Sequence, residues 1–158
     1  MVTKEFESQL TRMSLGDLEQ TIYIYRTIGG LFFFNRGQKS GASQPHKHIQ
    51  IFPSDARKLP IFKEMEKFAK ERNAKWDLDS IDLEIDRFPD FKFIHGLIPM
   101  PKEVKVRKDR KKFAEIMKKA EGVLFKTLIG EFGSVDYNVI GCDEFIFMVP
   151  RKKEKAFG

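Results

Sequence analysis

Along the first third of the chain the apolar positions change period twice. Leu15, Leu18, Ile22, Tyr25 and Ile28 recur every three or four residues, behind Ser14 with an acid, Asp17, three places on. That combination predicts a capped amphipathic helix, and Gly29-Gly30 predicts its end. Leu31 to Phe34 is wholly apolar and suits a buried strand. Residues 35–45 are small and polar and predict a loop, after which His46 to Phe52 predicts a second strand. Phe62, Met65, Phe68 and Ala69 place a helix over 59–73. Over 77–90, Ile81, Leu83 and Ile85 alternate with Asp82, Glu84 and Asp86, the pattern of an edge strand or extended flap. Phe91 to Ile98 predicts a strand closed by Pro99 and Pro101. Phe113, Ile116, Met117, Ala120, Leu124 and Leu128 predict a helix from about Lys108 to Gly130. Tyr137 to Ile140 and Phe145 to Val149, flanking Gly141 to Glu144, predict a hairpin. There is no internal repeat and no linker-like stretch, so the pattern gives one α+β domain over residues 1–158.

Composition narrows the class. With 158 residues, 41% hydrophobic and 33% charged, the chain is a globular domain with a proper core. No apolar run approaches the roughly 20 residues of a membrane helix. The first residues lack the apolar segment of a secretory signal. The single cysteine, Cys142, excludes an internal disulfide and a cysteine-based zinc cluster, and suits a reducing compartment such as the cytoplasm. The net charge of +6 is concentrated: residues 102–119 hold nine Lys and Arg against Glu103, Asp109 and Glu115. The single aromatic residue there, Phe113, belongs to the inward apolar stripe and leaves none among the charges for base stacking, so a solvated helix face is favoured over a nucleic-acid surface.

The chemistry gathers between Asn35 and Gln50. Gly37 and Gly41 let the backbone approach a ligand closely, and Ser40, Ser43 and the loop N–H groups suit phosphate oxygens. On a strand alternate side chains share a face, so His46, His48 and Gln50 project together while Lys47, Ile49 and Ile51 point the other way. Two imidazoles and a carboxamide make a poor core. A neutral imidazole is a good nucleophile towards phosphorus near pH 7, and a His-x-His pair is also a common beginning of a metal site. Phosphoryl chemistry, metal binding and an inert surface strand all remain open on these grounds.

Phe33-Phe34-Asn35 followed by Ser40-Gly41-Ala42-Ser43-Gln44-Pro45-His46-Lys47-His48-Ile49-Gln50 resembles the active-site segment of the diadenosine tetraphosphate phosphorylases. These enzymes, also called ATP adenylyltransferases, belong to the histidine-triad superfamily. Val2 to Gln9, His95 to Pro101, Tyr137 to Ile140 and Phe147 to Arg151 resemble further segments of the same family, in the same order. The resemblance implies a mostly antiparallel, histidine-triad-like sheet with helices packed on it. It implies that His48 attacks the α-phosphorus of a dinucleoside polyphosphate to form an adenylyl-histidine, from which inorganic phosphate releases ADP. His46 would support the nucleophile. Gln50, Ser43 and the Ser40-Gly41 turn would contact phosphate oxygens, and Asn35 would line the phosphate channel. Gln50 stands where the triad hydrolases carry a third histidine, and an amide cannot act as a general base for water. No covalent cofactor or protein-held metal is implied; Mg2+ would enter, if at all, with the nucleotide.

Family members carry a segment before the Val2 to Phe6 stretch and continue beyond Val149-Pro150-Arg151, so the match is to a partial domain lacking N-terminal strands. A bare outer sheet edge is therefore expected, and with it a homo-oligomer or a partner that supplies the missing edge. The alternative to an enzyme is a catalytically impaired nucleotide-binding or interaction module. Elsewhere His95 is expected to be an interior histidine, Cys142 incidental, Trp76 part of the core, and Asp82, Glu84 and Asp86 a solvated edge.

Overall fold

The computed structural model describes residues 1–53, 63, 64, 67 and 83–154. Helix α1, Leu15–Ile28, begins as the sequence predicts. Ser14 Oγ accepts from the Asp17 N–H at 3.1 Å, and the Asp17 carboxylate accepts from the Ser14 N–H at 2.8 Å. Among the described residues five strands follow: β1 Leu31–Arg36, β2 Gln50–Phe52, β3 Gly96–Pro99, β4 Tyr137–Gly141 and β5 Phe145–Pro150. They form one sheet in the order β2-β1-β4-β5-β3, antiparallel at every pairing. A short helix α2, Val104–Lys108, precedes α3, Arg110–Phe132, which starts two residues later than predicted. Asp109 sets that start, its carboxylate accepting from the Lys112 N–H at 3.0 Å.

The two long helices cover one face of the sheet. Phe32, Phe34, Val139, Ile146 and Met148 meet Leu18 and Ile22 from α1 and Phe113, Met117 and Leu124 from α3 in the main core. Glu121 of α3 is wholly buried there and is matched by Arg12 at 2.6 Å, Lys118 at 3.1 Å and the Tyr137 hydroxyl at 3.1 Å. The opposite face presents Leu31, Leu97, Phe145 and Phe147, partly roofed by Phe88 and Phe91.

Three expectations are corrected. The strand predicted from His46 is regular only from Gln50; His46 and His48 make isolated bridges to Ser8 and Val2. The strand predicted from Phe91 is regular only from Gly96. The cause is His95, which accepts the Phe88 N–H at Nε2 (2.7 Å) and meets the Phe93 carbonyl at Nδ1 (2.7 Å), and so takes the backbone groups a ladder would use. Asp86 is buried instead of lying on a solvated edge, its backbone exchanging two hydrogen bonds with Leu97. Trp76, Asp82 and most of the helix expected over 59–73 lie outside the described residues.

The outer edge beside the histidines is occupied as well. Residues 1–9 run along it, with Ile49 N–H donating to Met1 O at 2.9 Å, Lys47 N–H to Glu7 O at 2.7 Å and Gln9 N–H to Pro45 O at 2.8 Å. The outer side of Gln50–Phe52 carries no strand pairing among the described residues.

Candidate active site

The alternation predicted for residues 46–50 is present. Lys47 and Ile49 are buried, while His46, His48 and Gln50 occupy the open side. Lys47 is held inside because its ammonium meets Asp17 at 2.5 Å and Glu7 at 3.0 Å. Burial alone would lower its pKa, but the hydrogen bonds to the two carboxylates hold it above the ordinary lysine value. Asp17 is likewise pushed up by burial and brought below the usual range by Lys47 and Ser14.

Register puts Asn35 and Gln50 on one surface, and alternation from Gln50 adds His48, while Ser43 lines a separate hollow with Gly37, Gln38 and Pro45. Phe33 faces Gln50 across β1 and β2, and residues directly opposite in an antiparallel pair share a face. Phe33 and Asn35 face Ile140 and Asn138 of β4, which face Phe147 and Val149 of β5. This is the side away from α1 and α3. A groove of about 760 Å³ lies over it, lined by Phe33, Asn35, Phe93, Ile140, Phe147 and Val149, with Arg151, Lys152 and Lys153 at one end.

The two histidine rings have different surroundings. Nδ1 of His48 lies 3.0 Å from the carbonyl oxygen of His46. A carbonyl only accepts, so Nδ1 carries a proton, and in the neutral ring Nε2 keeps its lone pair. Nε2 of His46 lies 2.9 Å from Thr3 Oγ1 and 3.2 Å from the Glu5 carbonyl, and Phe6 lies against the ring. The structure therefore joins His46 to His48 through the His46 backbone carbonyl, while the His46 imidazole is engaged by the N-terminal segment.

The loop is tighter than the sequence suggests. The N–H groups of Ser40 and Ala42 donate to Gly37 O, that of Gly41 to Gln38 O, and that of Lys39 to the Asp136 carboxylate. Ser40 is buried and its hydroxyl donates to Gly37 O at 2.6 Å. Gly37, at φ 86°, accommodates Asp136, whose carboxylate would collide with a Cβ there; its role is this contact and not the approach of a ligand. Gly41, at φ 82°, has open space on its Cβ side, and Ser43 is exposed. Asn138 joins the loop to the groove: its Nδ2 donates to Asn35 Oδ1 at 2.8 Å and to Ser40 O at 2.7 Å. Arg151 donates to Asn138 Oδ1 at 3.1 Å.

Gln9, Thr3, Asn138 and Arg151 were given no role by the sequence reading, although each lies in or beside a motif that carried the resemblance. Their importance comes from contacts over 13 to 103 residues, which spacing alone does not reveal. His95, only 2% exposed, is the interior histidine expected, packed among Phe88, Phe91, Phe93 and Phe147. Cys142 is buried, which pushes its thiol pKa well up. Among the described residues no group of three His, Cys, Asp or Glu is placed to hold a metal ion. None of the described helices is long and apolar enough to cross a membrane.

Comparison with known proteins bears on the fold. Residues 1–67 match the family model of the Ap4A phosphorylase N-terminal domain, Ap4A being diadenosine tetraphosphate. No curated protein matches. Among solved structures, yeast Ap4A phosphorylase Apa2 in complex with AMP aligns with a TM-score of 0.75 at 23% identity, over 99% of this chain and 52% of that one. Uncomplexed Apa2 gives 0.77 at 22%, over 99% and 55%, and its complex with Ap4A gives 0.73 at 21%, over 99% and 53%. This chain thus spans about half the length of those it matches. The resemblance holds in two respects: residues 1–67 carry the sequence pattern of the Ap4A phosphorylase N-terminal domain, and the chain has the fold of an Ap4A phosphorylase.

Proposed function

We propose that this chain is the catalytic core of a nucleotidyltransferase that phosphorolyses diadenosine tetraphosphate through His48. One observation carries the reading: the His46 carbonyl pins the Nδ1–H of His48, leaving Nε2 as a nucleophile on the same sheet face as the apolar groove. Nε2 attacks the α-phosphorus, the P–N bond forms, and the P–O bond to the departing ATP breaks. The Nδ1–H stays on the ring, and its carbonyl partner stabilises the imidazolium that results. An oxygen of inorganic phosphate then attacks the same phosphorus, the P–N bond breaks, and ADP leaves with His48 regenerated. Gln50 donates its amide to a phosphoryl oxygen. Asn35 and Ser43 line the polyphosphate path beside the Ser40-Gly41 turn, and His46 orients the nucleophile through its carbonyl. The apolar groove takes the nucleoside, and any Mg2+ arrives with the phosphates.

The test is intact mass and product analysis with diadenosine tetraphosphate, with and without phosphate. The expected result is an adenylyl adduct absent from His48→Ala, formed with one equivalent of ATP when phosphate is withheld, and ADP with continued ATP release only when phosphate is added. A second reading, a nucleotide-binding module without turnover, is favoured by the inward N–H groups of the loop. Binding without adduct or products would establish that reading instead. A homo-oligomer through the outer side of Gln50–Phe52, in the cytoplasm, belongs to the same proposal; a monomer by light scattering at high concentration would remove it.

A further inference from the structure

We propose that Gln9 is a positioning residue for the nucleophile: its side-chain amide, in place of the β ladder, sets where the His48 backbone stands relative to Asn35. The inference rests on the phosphorylase reading of His48. The β1–β2 register runs Leu31 to Phe52, Phe32 to Ile51 and Phe33 to Gln50, and ends there. The next facing pair in the same period would be Asn35 and His48. Between them lies the Gln9 carboxamide. Its Oε1 accepts the His48 N–H at 2.7 Å, while its Nε2 donates to Asn35 O at 2.7 Å and to His48 O at 3.3 Å.

The amide matches what the two strands leave over. One donor and two acceptors are presented, and a carboxamide offers one acceptor oxygen and two N–H donors. Glutamate has no donor, methionine has neither function at useful strength, and asparagine is one methylene short. Gln9 is 3% exposed, and its own N–H donates to Pro45 O at 2.8 Å, so the wedge is fixed at both ends. Strands joined directly stand about 4.8 Å apart. A side chain between them moves His48 outward from Asn35, and the His46 carbonyl then fixes the ring from that displaced backbone. Misplacing a reacting atom by about 1 Å costs rate far more than affinity.

The test uses Gln9→Met and Gln9→Glu, two side chains of similar length. In single turnover with diadenosine tetraphosphate, both are expected to slow adenylyl-His48 formation at least tenfold while nucleotide Kd moves less than threefold. By NMR, the His48 amide is expected to exchange faster and its ring nitrogen shifts to move in both variants, while the His95 signals, reporting the interior, stay in place. Wild-type adduct rates with unchanged His48 signals would overturn the proposal. So would joint movement of His48 and His95, which would make Gln9 a support of the fold at large. If wild type itself forms no adduct, the phosphorylase reading fails, and the His48 signals alone decide whether Gln9 positions that residue.

Discussion

His48 and His95 share a local device and differ in what it leaves over. In each, Nδ1 meets the carbonyl two residues back, at 3.0 Å in one and 2.7 Å in the other. The second nitrogen of His95 is occupied by the Phe88 N–H, so its ring is full, neutral and enclosed. Burial lowers its pKa, opposed by the bond to Phe93 and reinforced by Arg87. A histidine whose folded pKa lies below its unfolded value binds fewer protons when folded. Its contribution to stability is therefore complete above about pH 6.5 and declines as pH falls toward the folded pKa. We expect the urea midpoint to drop between pH 7 and pH 5.5, and the slope to flatten in His95→Gln, whose amide oxygen accepts the Phe88 N–H without titrating. At this scale the sequence revealed which histidine faces outward, because strand alternation is periodic. The proton on each ring was not legible, since it depends on where a carbonyl lies. Gly37 shows the same limit: its conformational freedom was readable, its purpose beside Asp136 was not.

The histidine segment is anchored from behind by α1. Asp17 caps its own helix and also accepts the buried Lys47 ammonium, so one carboxylate locks the helix start to the segment that carries His46 and His48. The pair strengthens the fold between the pH at which Asp17 protonates, below the ordinary carboxylate range, and the pH at which Lys47 deprotonates, above the ordinary lysine range. Lys47→Met leaves Asp17 without its cation and is expected to cost about 3 kcal/mol in chemical denaturation. The loss should shrink in acid, where the abandoned carboxylate takes up a proton. Helix α1 and the closing hairpin were legible because capping, glycine stops and alternation are local signals. The length of the histidine strand was not, because a side chain from residue 9 interrupts its pairing with β1.

Across the whole molecule the sheet separates two tasks. Helices and core fill one face, while the other pairs an apolar groove with three cations at its end. Filling the groove should weaken binding without harming the fold: Val149→Trp is expected to raise nucleotide Kd at least about tenfold, or 1.4 kcal/mol, in calorimetry. The melting temperature should stay within about 3 °C, since Val149 is only partly buried. An α+β layer arrangement was visible from the order of apolar periods. The strand order was not, because long-range pairing leaves no local trace, and the family resemblance implied only a mostly antiparallel sheet.

The hem of residues 1–9 joins partners about forty positions away through a few isolated bridges, whereas β4 and β5 meet across a tight turn in a continuous ladder. Long closures with few bonds are entropically dear and open first. Warming should therefore unpick the corner holding both histidines while the central sheet is still knitted together, so chemistry fades at temperatures where the remainder of the protein still looks native.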